Sequence, residues 1–207
     1  MSTTNAPYGL RPINRNDGMP YAGATSQYLI NPTSGAGTNL FYGQVVLIDA
    51  DGYIALSTAT GADLTTNNLG GSSLGAIGVF VGCSYINAQG QVIYAQYYPT
   101  GTTGVINAYV VSDPGVVFQV QSAGSVTQAA VGANVFFTTS AVATGSTSTG
   151  NSTASVVAGS SAVTTTAAFR VVGFVDMVGF STVGDAYTDI LVKINPGYHT
   201  FTNAVGL

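Results

Sequence analysis

The sequence predicts an all-β fold, a barrel or a sandwich of short antiparallel strands. Three observations predict it. About eight short runs of β-branched and aromatic residues are separated by Gly, Pro, Asn and Asp turns. Helix signals are nearly absent: no capping box, no amphipathic run and no Glu/Lys pairs. The densest stretch, residues 75–99, reads as a hairpin with strands at 76–86 and 91–98 joined by Asn87-Ala88-Gln89-Gly90. The first of these strands is almost continuously apolar and is expected to be covered on both faces. In the second, Ile93, Ala95 and Tyr97 share one face, and Val92, Tyr94, Gln96 and Tyr98 the other.

Taken in order, residues 1–30 read as an N-terminal arm, in which Pro7, Pro12 and Pro20 alternate with Gly9, Gly18 and Gly23. Tyr8, Leu10, Ile13, Tyr21, Tyr28, Leu29 and Ile30 make it too apolar for a free tail. It must lie against a surface, either a neighbouring subunit or its own barrel. Residues 31–200 read as a single β domain. Within it, 41–48 and 53–56 form a hairpin around Asp49-Ala50-Asp51-Gly52, a strong turn signal. Residues 57–73 are polar and read as a surface loop. Strands at 105–111 and 116–121 flank Ser112-Asp113-Pro114-Gly115. Val116, Phe118 and Val120 should face in, with Gln119 and Gln121 facing out.

Residues 126–139 fit either one more strand or a short helix leading into Val135-Phe136-Phe137. Residues 138–166 are a low-complexity Ser/Thr/Ala/Gly/Val insertion, expected to contribute least to the core. Residues 169–180 and 185–195 close the fold, with Ile190, Val192 and Ile194 pointing one way and Asp189, Leu191, Lys193 and Asn195 the other. Val171-Val172-Gly173-Phe174-Val175 echoes Ala76-Ile77-Gly78-Val79-Phe80-Val81, and glycine inside such strands marks a bend or a close backbone approach. A short tail follows, at 201–207.

Composition narrows the function. Charged residues make up 6% of the 207, against roughly 25% in an ordinary soluble domain. There is no Glu, and Lys193 is the only lysine. Interfaces between proteins are poor in charge and rich in aromatics, and twelve Tyr with nine Phe fit that pattern. The surface is therefore expected to be occupied largely by other protein. A net charge of −4 argues against a nucleic-acid partner. No apolar run reaches the ~18 residues of a membrane span, and no basic, apolar leader opens the chain. Synthesis in a host cytoplasm without a visible export signal is the expectation, as for a virion component.

Catalytic chemistry finds little to work with. Asp49 and Asp51 sit in a turn; they resemble half of a calcium loop but lack its remaining ligands. Asp185 and Asp189 fall at a loop-to-strand join, and a hydrolase would need them in one pocket with Asp176. His199 is the sole histidine and lies near the end of the chain; Cys83 is the sole cysteine, mid-strand and expected to be inert. No metal-ligand, Walker or dinucleotide spacing is present, so no enzyme activity and no cofactor are expected.

Several separated stretches resemble virion structural proteins of tailed phages, the marine podovirus-like ones especially. They are N-A-P-Y-G-L-R-P at 5–12, D-G-M-P-Y-A-G-A-T at 17–25, G-V-F-V-G-C at 78–83, Y-A-Q-Y-Y-P at 94–99, A-Y-V-V-S-D-P at 108–114 and G-D-A-Y-T-D at 184–189. The resemblance implies a capsid decoration, or cement, protein. Such a protein would sit as a homotrimer on the outer surface of the capsid and bridge neighbouring major capsid subunits. It implies an N-terminal arm that joins the lattice and a small β-barrel or β-tulip that projects outward. Tyr8, Leu10, Arg11, Pro12, Arg15 and Tyr21 would be the capsid contacts. Deleting residues 1–25 should then leave a folded trimer that no longer binds heads. The competing function is a head-fibre or tail-tip adhesin gripping a glycan, for which Tyr94, Tyr97, Tyr98 and Tyr109 offer aromatic platforms, or else subunit-interface aromatics.

Overall fold

The computed structural model describes residues 4–57, 75–136, 144–157, 167–175, 177 and 180–202. Among the described residues eleven strands form two antiparallel sheets that pack as a sandwich, with neither sheet closed into a barrel. The five-stranded sheet runs β1 (Arg11–Arg15), β8 (Val116–Gln121), β11 (Asp189–Ile194), β10 (Phe169–Phe174) and β9 (Asn134–Val135). The six-stranded sheet runs β2 (Ser26–Ile30), β7 (Ile106–Val111), β5 (Gly78–Ile86), β3 (Val45–Ile48) and β4 (Ile54–Leu56). Its sixth strand, β6 (Val92–Ala95), pairs with the end of β5 on the side where β3 pairs with the beginning.

Two hairpins in the six-stranded sheet share one construction. The first residue of each turn, Asp49 or Asn87, accepts two backbone N–H bonds at its side-chain oxygen, at distances between 2.8 and 3.0 Å. The fourth residue, Gly52 or Gly90, has φ near +80°, a conformation that costs glycine little. The short polar residue and the glycine thus fix the register of the flanking strands. Asp49 is committed to its own backbone in this way.

The apolar pattern decides which faces pack. Val116, Phe118 and Val120 of β8 join Ile190, Val192 and Ile194 of β11 and Phe169 and Val171 of β10 in the core between the sheets. Val45, Val79 and Val111 complete it from the six-stranded side. Their sequence neighbours Val46, Phe80 and Val110 point the other way, into a second core with Ile30, Leu40, Ile54, Cys83, Tyr98 and Ile106. The six-stranded sheet therefore curls around an interior of its own while its base rests on the other sheet. That is why the first half of β5 is unbroken in its apolar character: Val79 and Phe80 pack into apolar surroundings on opposite faces.

Glycine marks the bends. Register shifts fall between Phe80 and Gly82 in β5 and between Val171 and Gly173 in β10, so the counterpart of Gly173 is Gly82. Gly78 instead makes a close approach, since a Cβ there would collide with the Val111 carbonyl. Residues 126–136 divide, a 3-10 turn at Gln128–Ala130 preceding β9, and residues 137–139 lie outside the described residues. The final strand pair is shorter than its apolar run, with β10 ending at Phe174.

In three regions the structure bears on an expectation: the first follows one of the two alternatives, and the other two differ. First, residues 4–30 lie on the chain's own body, with β1 at one edge of the five-stranded sheet and β2 at one edge of the six-stranded sheet. They run antiparallel beside β8 and β7, so this segment crosses between the sheets alongside the 112–115 turn. Second, residues 144–157 of the low-complexity stretch are built in. Ala154 and Val156 belong to the inter-sheet core, and Gly145 packs against the face of Phe41. Small residues are required there because larger ones would meet the Phe41 ring. Third, Tyr98 does not follow Tyr94 outward. β6 stops at Ala95, the chain bends, and Tyr98 enters the curl's interior while its backbone pairs with Leu40. The loop beyond Ser57, the remainder of 138–166 and residues 203–207 lie outside the described residues.

Candidate functional site

The residues weighed for chemistry are held in structural roles. His199 is fully buried, pairs through its backbone with Ala76, and accepts the Phe201 N–H at Nδ1 at 3.2 Å. Burial lowers its pKa, and the Ser112 backbone and the Asp113 charge pull in the opposite direction. Cys83 lies inside the curl, its Sγ 3.6 Å from the Tyr97 carbonyl, and burial pushes the thiol up to about 12. A thiol so far from its thiolate is a poor nucleophile. Asp185 accepts the Thr182 N–H at 2.9 Å, whereas Asp189 accepts the Tyr8 hydroxyl at 3.0 Å. Asp176 lies outside the described residues. Among the described residues no three His, Cys, Asp or Glu side chains gather to hold a metal ion.

The structure distributes the six arm residues over distinct environments. Gly9 and Gly43 cross at φ of +79° and +86°, and Leu10 N–H donates to the Gly43 carbonyl at 3.0 Å. A Cβ on Gly43 would come within 2.8 Å of the Leu10 nitrogen. That crossing turns Leu10 into the inter-sheet core, so its side chain has no surface to give a partner. Tyr8 lies over the outward face of the five-stranded sheet, its hydroxyl on Asp189 and its ring 4.3 Å beneath the Arg11 guanidinium. Burial, followed by the Asp189 charge, raises the Tyr8 pKa, while burial raises that of Asp189. Pro12 and Tyr21 are half-buried. Arg15 is exposed and bridges Asp17 at 3.6 Å and Asp113 at 3.3 Å.

The four tyrosines also separate. Tyr98 is buried, and Tyr97 stacks on Phe41 with ring centroids 5.6 Å apart. Tyr94 is 77% exposed. Tyr94 and Tyr109 line a shallow groove of about 430 Å³ with Tyr42 and Gln96, above a floor of Val81, Gly82, Cys83 and Ala95. Gln96 donates to Asn151 at 2.7 Å and Tyr109 shares a hydrogen bond with Ser84 at 3.0 Å, so the polar groups at the groove have set orientations. The strand pair beside the polar turn of the neighbouring hairpin is apolar and open to solvent: Val92 is 58% and Ile86, its cross-strand partner, 57% exposed.

Along the chain the four cations, Arg11, Arg15, Arg170 and Lys193, are scattered apart from the first two. The topology brings three of them together. Arg170 is opposite Lys193, and Arg11 is opposite Gln119, which is opposite Leu191, two residues from Lys193. In antiparallel pairs, opposite residues share a face. The signal was out of reach because it depends on β8 lying between β1 and β11. Comparisons with family models, curated proteins and solved structures found no match for the chain.

Proposed function

We propose that this chain is a capsid decoration protein of a phage head, binding the outer surface of the shell and bridging neighbouring major capsid subunits. The observation that carries the reading is the β5–β6 hairpin. Its solvent-facing side presents Ile86, Val92 and Tyr94, and residues 86–95 contain no charged side chain. Among the described residues β6 is an edge strand that pairs only with β5, and it carries neither lysine, proline nor bulge to discourage another strand. An apolar, unguarded edge on a chain with 6% charged residues fits a surface meant to be covered by protein. Several copies on a lattice would add such contacts with high effective concentration.

Co-sedimentation of the purified chain with heads of the encoding phage tests this, together with its copy number per virion. A decoration protein should pellet with heads and occur in lattice ratio to the major capsid protein. A chain that stays in the supernatant, or is present in only a handful of copies, sinks the proposal. The second outcome would favour the adhesin reading, to which the groove of Tyr42, Tyr94, Tyr109 and Gln96 gives specific support. Stacking rings beside oriented amides suit a neutral saccharide.

A further inference from the structure

We propose that the outward face of the five-stranded sheet is the surface that meets an acidic protein partner, through Arg11, Arg170 and Lys193. The inference rests on the decoration reading and names which face of the molecule turns toward the shell.

The chain has four basic residues, and three of them project from this one face. The fourth, Arg15, takes part in the two ion pairs found among the described residues. From strand spacing and rise, Arg11 and Lys193 lie about 12 Å apart at Cα, with Arg170 beside Lys193. Like charges directly opposite on neighbouring strands destabilise a sheet. Arg170 and Lys193 are placed that way, and Arg170 donates from Nε to the neutral Asn134 at 3.1 Å rather than to a carboxylate. Asp189 shares the face, but it sits at the end where residues 4–8 cross: Ala6 N–H donates to Gln121, Gln121 donates to the Thr4 carbonyl, and the Tyr8 hydroxyl donates to Asp189. The other end is left to Arg170 and Lys193, while Arg11 lies over the Tyr8 ring and near Asp189. Leu191 and Val172 lie half-buried among them, an apolar floor for a partner to cover.

The charge of the whole chain supplies the logic. At −4, the molecule is repelled on average by an acidic surface, and a cationic face is the orientation in which that repulsion reverses. Such an arrangement selects register more than it adds affinity. Protein carboxylates fit better than a phosphate backbone, because three cations with a carboxylate among them would neutralise few phosphates.

The test uses the full chain and the head co-sedimentation above, repeated between about 50 and 300 mM salt, a range over which screening changes strongly. Arg170→Gln with Lys193→Gln should weaken head binding at least fivefold and flatten its salt dependence, while the unfolding midpoint stays level or rises. Asp51→Asn, at a distant turn, should change binding less than twofold. If wild-type protein binds heads and the double variant binds equally well with equal salt dependence, this assignment fails and the decoration reading survives. If wild-type protein does not bind heads, both fail. Tighter binding to short duplex DNA than to heads would also overturn the assignment, in favour of a nucleic-acid face.

Discussion

The five-stranded sheet is buried on one face, whereas the six-stranded sheet is buried on both over its base and exposes apolar side chains toward its edges, Leu29 on β2 and Ile86, Val92 and Tyr94 on the β5–β6 hairpin. β11 shows the first condition, with alternate residues Ile190, Val192 and Ile194 inside and Asp189, Leu191 and Lys193 half-exposed. β5 shows the second, with consecutive residues Val79 and Phe80 delivered to different cores. One sheet can therefore carry charge on its outside and the other cannot. Polar chemistry and apolar docking surface are thereby assigned to different faces of the same small domain.

The largest expected effect is on the segment that belongs to both sheets. Removing residues 1–25 takes away β1, Leu10 and the ties that Asn16 and Arg15 make to the 112–115 turn. We expect loss of cooperative unfolding, in place of the folded but non-binding trimer that an independent arm implies. Circular dichroism melts of the truncated chain check this; a sharp transition near that of the full chain would restore the independent arm.

Next in size are the two cores. Phe118→Ala empties the core between the sheets and Phe80→Ala the interior of the curl, and each should cost about 3–5 kcal/mol. Chemical denaturation should give a single transition for both variants. If Phe80→Ala splits the transition and Phe118→Ala does not, the curl unfolds separately and the two sheets are not one cooperative unit.

The smallest effect reads the contact between the C-terminal segment and the start of β5. His199 is neutral when buried, with a folded pKa below its unfolded value of about 6.5. Below that pH the unfolded chain binds a proton that the folded chain does not. Stability should therefore be full above pH ~6.5 and fall beneath it, by up to about 1.4 kcal/mol per pH unit, until the folded pKa is reached. Asp189, whose pKa is raised by burial, acts with the opposite sign, so a loss of stability on acidification from pH 7 reports the histidine. A flat profile, or one that rises on acidification, would show that His199 is not buried as a neutral ring.

How much of this was legible follows from range. Turns announced themselves locally: Asp49 and Asn87 each precede a glycine by three residues, and both form the expected hairpins. The alternation of β11 and the unbroken run of β5 revealed which sheet has one covered face and which has two. Gln121 is different. It alternates outward as expected, yet it is buried because Thr4 and Ala6 cross over it, a contact more than a hundred residues away. The same distance problem hid the role of residues 144–157, whose small side chains read as loop and serve as close packing. Arg11, Arg170 and Lys193 become neighbours only through strand order, which periodicity does not encode.

Cys83 offers one more use of the curl. As the chain's only thiol, sealed within that interior, it can be alkylated only in molecules whose inner chamber has momentarily parted. Mass-shifted protein accumulating under a cysteine reagent would count those partings directly, one covalent mark per molecule. The wild-type sequence thus carries its own gauge of breathing in this half of the domain, readable on free protein and again after capture by a phage head.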